Sequence, residues 1–328
     1  MIKEIITPKL KNPIFIAAWP GMGEVAYRSV LFLREVMEFK MFAKLEAIDF
    51  FKPAAVFVKK GIIDMPALPA GFFYYAKGKK NSPDIILFLG EAQPPLEYAE
   101  ALSLAIIDFV KKYNSKAIFT FAAKPEPIDH KGDSAVWFAA THNDIFKEFL
   151  GLNLKALNEG QISGLNGIIL GIAKKKGLKG VCLLGEIPFY TVQIENPKAS
   201  ANILRIIDRY LKLNLNLAPL VERSKFVEEE IDKLITYLKG EMPAPSAASG
   251  PLPLNEEDLE KIKKDLATYT KLPQSARAKI DKMFKDSGKD LTKASKLKDE
   301  LDHWNVYKEY EDRFLDLFRK KGKRKETH

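Results

Sequence analysis

The sequence predicts an α/β layered domain with a largely parallel sheet, joined through a linker to a small all-α unit. Three observations carry that reading. Over the first 238 residues, short apolar runs alternate with segments of helical periodicity, which places strands and crossover helices in turn. Several of those runs are unbroken β-branched and aromatic stretches, as strands buried on both faces are. Beyond residue 254 only helical spacing remains.

The elements follow in order. Ile14–Ala18 (IFIAA) is the first strand, and WPGMGE turns it into a helix over 24–39. Residues 42–48 form the next strand, where Lys44 and Glu46 alternate as on a half-exposed face. Runs at 54–58 and 72–77 have no helical segment between them and are read as a local antiparallel excursion. Strands at 84–90, 117–123 and 180–185 alternate with helices at 96–113 and 165–175, and helices at 197–213 and 221–238 close a domain spanning 1–240. Residues 241–254 (EMPAPSAASGPLPL) lack periodicity and have the composition of a linker.

Residues 255–328 form a helical appendage with a basic tail. Leu259, Ile262, Leu266 and Tyr269 share one helical face, as do Ile280, Met283 and Phe284, and Pro273 and Gly288 punctuate the run. Trp304, Tyr307, Tyr310 and Phe314 are more aromatic surface than so small a core is expected to hold, so they are candidates for a partner-binding face.

Composition narrows the function classes. The chain has 328 residues, 46% hydrophobic and 29% charged, an ordinary globular balance. No apolar run reaches the ~18 residues of a membrane span, and the start MIKEIITPKLKNP has no signal-peptide apolar core. The one cysteine, Cys182, excludes an internal disulfide and a cysteine-built zinc site. A cytoplasmic setting without a membrane partner is expected. The net charge of +9 is spread among acids along the chain, except for the tail Arg319 to Lys325. That tail reads as a frayed, solvated end, so nucleic acid is not the expected partner.

Chemistry, if present, belongs beyond the carboxyl ends of the parallel strands. The loops there are WPGMGE, GEAQPP, AAKPEP and GEIPFY. Two of them repeat Gly-Glu before a proline, which makes Glu91 and Glu186 the weak catalytic candidates, as an acid/base pair or as oxygen ligands for a cation. The plainer alternative has each carboxylate facing water near a helix N-terminus. His130 lies between Asp129 and Asp133 in a polar loop, and Asn143 resembles the cap of a helix after His142. No nucleophile elbow, Walker sequence or H-E-x-x-H occurs, and neither cofactor nor metal is expected. Gly21 to Ala26 (GMGEVA) formally fits the dinucleotide pattern G-x-G-x-x-G/A. Pro20 removes an amide donor and Glu24 places a carboxylate in the first helical turn, so the glycines are read as a tight turn and not as a phosphate cradle.

These same blocks resemble a known family. NPIFIAAWPGMGEVAYRSVLFL, then GQISGLNGIILGIAKKKGLKGVCLLGEIPFY, then NPKASANILRIIDRYLKLNL resemble, in order, motifs of the proteasome assembly chaperone family in its archaeal and bacterial branch, over residues 10–238. The resemblance implies an α/β/α sandwich similar to nucleoside-phosphorylase-like folds, homo-oligomers, and proteasome subunits as partners. Some members dock through a C-terminal hydrophobic-Tyr-X tail. This sequence ends in KETH, with Thr327 in place of the tyrosine.

The expected function is therefore a non-catalytic oligomeric assembly chaperone or scaffold. Its interface or ligand loops are Trp19, Pro20, Gly21, Met22, Gly23 and Glu24, with Gly185, Glu186, Pro188, Phe189 and Tyr190. Trp19, Met22, Phe189 and Tyr190 would bury apolar surface against a neighbour. The alternative is an enzyme for a small nucleoside or carboxylate, built on Glu91 and Glu186.

Overall fold

A computed structural model describes residues 2–46, 49–53, 55–79, 81–238, 257–262, 274–303 and 307–322. The chain divides into two compact units, Met1–Asn255 and Glu256–His328. The segment 241–254, read as a linker, lies outside the described residues, as does Trp304.

The first unit holds β1 (Ile2–Glu4), β2 (Ile14–Ala18), α1 (Val25–Val36), β3 (Lys40–Glu46), β4 (Phe57–Lys59), β5 (Ile62–Asp64), β6 (Ala70–Ala76), β7 (Ile85–Gly90) and α2 (Leu96–Lys111). It continues through β8 (Ala117–Glu126), β9 (Val136–Ala140), α3 (Asn143–Leu150), β10 (Lys155–Ala156), α4 (Leu165–Lys175), β11 (Lys179–Pro188), α5 (Pro197–Leu211) and α6 (Ala218–Leu238). Nine strands form one sheet in the order β1-β3-β6-β7-β2-β8-β11-β9-β10. Its centre, β7-β2-β8-β11, is parallel. Towards one edge β6, β3 and β1 pair antiparallel, and β9 runs antiparallel to β11 towards the other.

The central strands are apolar throughout because both faces are covered. Ile16, Leu87, Phe119 and Leu183 face a core shared with α1 and α5; Phe15, Phe88, Ile118 and Cys182 face the core under α2 and α4. One apolar cluster on each side of the sheet makes three layers, with side chains alternating at the strand period of two. Helix α5 starts where the sequence provides for it: Asn196 caps Ala199 N–H at 3.0 Å and Pro197 takes the first helical position.

Several expectations are corrected. The run at 54–58, read with 72–77 as a local antiparallel excursion, is strand only at its end, and its antiparallel partner is not 72–77. The observed strand is Phe57–Lys59, paired with Ile62–Asp64 in a separate two-stranded sheet that is exposed throughout. β8 and β11 outrun their predicted ends, because their pairing continues through Glu186↔Lys124 to Pro188↔Glu126; AAKPE and GEIP are therefore strand, not loop. β9 joins the sheet although the sequence reading passed over it. Asn143 is the first residue of α3 and makes no cap, the N-cap position falling on extended His142.

The second unit contains α7 (Gln274–Lys289), α8 (Ala294–His303) and α9 (Tyr307–Gly322). Ile280, Phe284, Leu297, Leu301 and Phe314 form its core, with Tyr307 and Tyr310 packed against it. Of the aromatics expected to exceed this core, Phe314 is buried and Tyr307 and Tyr310 are half-buried beside it. Phe284 and Tyr310 stack at 5.7 Å and Tyr307 meets Phe314 edge-on at 5.6 Å, so each ring leans one side on the small core.

Candidate functional site

The motif loops converge at the carboxyl end of the parallel strands. After β2 the chain reverses through Trp19–Glu24, where Gly23 and Glu24 are both left-handed, at φ 58° and 48°. Gly23 N–H donates to the Val192 carbonyl at 2.8 Å, and its carbonyl accepts from Asn196 N–H at 2.8 Å. Glu24 N–H donates to Gly21 O at 2.9 Å. Those amides are thus engaged within the fold, whereas a bound phosphate would need them free. The Glu24 carboxylate ion-pairs with Arg28 at 2.7 Å. Gly21 is extended (φ −171°), and a Cβ there would meet nothing nearer than 3.8 Å, so the turn demands glycine only at Gly23.

Two residues that sequence reasoning missed clamp this turn. The buried Asn166, in the first turn of α4, accepts from Trp19 N–H at 3.1 Å and donates to Trp19 O at 3.2 Å. Gln93 donates to Pro20 O at 2.7 Å and accepts from Leu165 N–H at 3.0 Å. The available signal was a polar residue inside an otherwise apolar motif, the Asn of SGLNGII. Trp19 and Tyr190, expected as exposed apolar surface, are each 1% exposed. Trp19 packs on Phe88, ring centroids 5.1 Å apart, and Tyr190 is held by His130. Phe189 is half-buried, and of the four only Met22 is exposed.

The two glutamates do not form a pair. β2 and β8 lie between β7 and β11, which sets the strands bearing them about 14 Å apart. Glu91 accepts from Ala70 N–H at 2.9 Å on the exposed side of the β6–β7 hairpin. Glu186 is buried, not solvated: it accepts from Ala135 N–H at 3.0 Å and from the Trp137 indole N–H at 2.6 Å. Lys124 and Lys155 stand over the Trp137 ring at 4.5 and 5.1 Å. Burial pushes the Lys124 ammonium below its ordinary pKa, opposed by the Glu186 charge and reinforced by Lys155.

His130 is buried too. Its Nδ1 meets the Tyr190 hydroxyl at 3.0 Å and its Nε2 meets Asp232 on α6 at 3.0 Å. Lys198 donates to the carbonyls of His130 and Gly132 at 2.9 and 3.1 Å and pairs with Glu228 at 2.7 Å. Asp129 and Asp133, its expected neighbours, contribute less: Asp129 lies 3.9 Å from Nδ1. This network fastens the 126–135 loop, the turn at Phe189–Thr191, α5 and α6 to one another. Among the described residues no group of three or more His, Cys, Asp or Glu is placed to hold a metal, and no helix is long and apolar enough to cross a membrane.

A family model described as the PAC2 family matches residues 15–235. An uncharacterized protein of Methanocaldococcus jannaschii is 26% identical over 273 residues, covering 80% of this chain and 98% of that one. Among solved structures, Pyrococcus furiosus PbaB, an archaeal proteasome activator, is similar at a TM-score of 0.62 and 27% identity, over 72% of this chain and 98% of that one. P. furiosus PbaA, an archaeal homolog of proteasome-assembly chaperone, gives 0.57 and 25%, over 73% and 93%.

Proposed function

The chain belongs to the PAC2 family, and on that premise we propose that it is a non-catalytic, oligomeric assembly-chaperone or scaffold protein whose partners are further copies of itself and proteasome subunits, in a cytoplasmic setting. The observation that carries the reading is the β4–β5 hairpin. Phe57, Val58, Ile62, Ile63 and Met65 are exposed to between 61% (Met65) and 72% (Ile62). A two-stranded sheet alone is marginal in water, its free edges invite pairing, and apolar side chains stand exposed on both faces, Val58 and Ile63 on one and Phe57 and Ile62 on the other. Burying each such side chain against a neighbour contributes about 1.5–3 kcal/mol before association costs. With Trp19 and Tyr190 turned inward, the hairpin takes over the contact role first assigned to them.

The likeness to an archaeal proteasome activator and to a chaperone homolog supports proteasome subunits as the clients. The test is mass determination of the native assembly, with capture of proteasome α subunits of the source organism, for the wild type and for Phe57→Lys/Ile62→Lys. A wild-type oligomer that dissociates in the variant, with α subunits retained by the wild type, supports the proposal. A wild-type monomer that retains no α subunit refutes it. The enzymatic alternative needs Glu91 and Glu186 in one pocket, which the strand order disfavours.

A further inference from the structure

A cavity lies at the opposite end of the sheet from the motif loops. It is about 830 Å³ and opens where the end of α1, the turn between β6 and β7 and the end of α5 meet, within the range of small-molecule sites. Lys77, Lys79, Arg209 and Lys212 line it, with Asp208 as the one acid on its wall. The Asp208 carboxylate is occupied in shaping the wall, accepting from Leu215 N–H at 2.9 Å. Among the described residues Lys77, Lys79 and Lys212 make no ion pair. Val36, Met37 and Leu213 add apolar lining.

The turn that carries two of the lysines is fixed in advance. Lys79 N–H donates to the Ser82 hydroxyl at 2.8 Å and that hydroxyl donates back to Lys79 O at 2.6 Å. Gly78 N–H donates to Asp84 at 2.9 Å, and a Cβ on Gly78 would collide with the backbone of Ser82 and Pro83. Four basic residues around one cavity against a single lining acid leave an excess of positive charge, which an anion relieves. Helix dipoles account for part of the cluster, since Arg209 and Lys212 sit at the end of α5. They do not account for Lys77 and Lys79, which belong to no helix.

From the cavity, its four basic lining residues and the apolar residues beside them, we infer that this is a binding site for a phosphorylated small molecule of nucleotide size. The phosphates would lie among Lys77, Lys79 and Lys212, and the apolar or aromatic part on Val36, Met37 and Leu213. Lysine serves phosphate as a compact point charge. The site is separate from the hairpin and from the motif loops, so it stands or falls independently of the assembly role.

The test is calorimetric titration of the full chain with ATP, AMP, adenosine and a polyglutamate peptide. Saturable binding is expected in the order ATP, AMP, adenosine, weakening as salt rises. Lys77→Glu/Lys212→Glu is expected to weaken ATP by about a hundredfold, about tenfold for each ammonium lost. Lys174→Glu/Lys175→Glu on α4, across the sheet, changes the net charge equally and is expected to leave affinity unchanged. If the charge-reversed protein unfolds early, Lys77→Gln/Lys212→Gln decides by the same comparison. Absence of saturable ATP or AMP binding, affinity indifferent to the Lys77 and Lys212 changes, or tighter binding of polyglutamate than of ATP would each overturn the inference.

Discussion

The indole of Trp19 occupies the space that a side chain on Gly90 would need: a Cβ built there would overlap Cδ1 and Nε1 of the ring. Gly90 ends β7 and Trp19 follows β2, its parallel neighbour, so the glycine of the Gly-Glu repeat is there for packing. Gly185, its counterpart in β11, likewise admits Ala199 of α5, 2.9 Å from a built Cβ. Gly90→Ala is therefore expected to destabilise the first unit by about 2–3 kcal/mol through overpacking of a rigid buried ring, read as a lower urea midpoint with unchanged slope. An effect below ~0.5 kcal/mol would contradict this account of Gly90.

The two glycines of the opening turn should separate in the same assay. Gly23→Ala forces a left-handed residue to carry a Cβ, which also meets Ile187 Cδ1 at 3.2 Å. A loss of about 1–2 kcal/mol is expected. Gly21→Ala has extended backbone and open space and should stay within ~0.5 kcal/mol of the wild type. Equal losses at both positions would mean that the turn is not shaped as described.

Acid should loosen α6. Burial works against ionisation of Asp232, but its bonds to Lys131 and His130 outweigh that and hold its carboxyl below the ordinary value. A group with a depressed folded pKa binds fewer protons folded than unfolded. Its contribution is full above the unfolded value near 4 and lost as pH falls through the folded one. The urea midpoint of the wild type is expected to fall below about pH 4, and that of Asp232→Asn to fall less over the same interval. Parallel profiles would remove Asp232 from the acid response.

Cys182 is fully buried in β11, and burial pushes its thiol up to about 12, partly offset by the Thr120 hydroxyl. A thiol reagent at mildly alkaline pH should leave it unmodified in the folded chain and label it completely in denaturant. Labelling of the folded protein is expected to be slower by on the order of a thousandfold or more, reflecting the rarity of the unfolded state. Rapid labelling under native conditions would show that the central sheet opens locally.

The class of fold was legible because it rests on local pattern. The unbroken runs IFIAA and IILFLG are buried on both faces, as such runs require, and the α4 span was readable residue for residue from its periodicity. The candidate site was legible only in part. The motif blocks do meet at one end of the sheet, yet Asn166 holds Trp19 across 147 residues, and His130 finds Tyr190 and Asp232 at separations of 60 and 102. No spacing rule links residues so far apart.

By itself the sequence determined the layering, the order of most strands and helices along the chain, and the need for a sharp turn after β2, since each follows from the period or conformational freedom of neighbouring residues. Tertiary structure alone decided which motif residues turn inward. Trp19, Tyr190 and Glu186 are buried because segments distant in the chain bring Gly90, His130 and Trp137 to meet them, while the apolar hairpin is left outside the sheet. A side chain's exposure depends on what occupies the space beside it, and that neighbour is chosen by the fold.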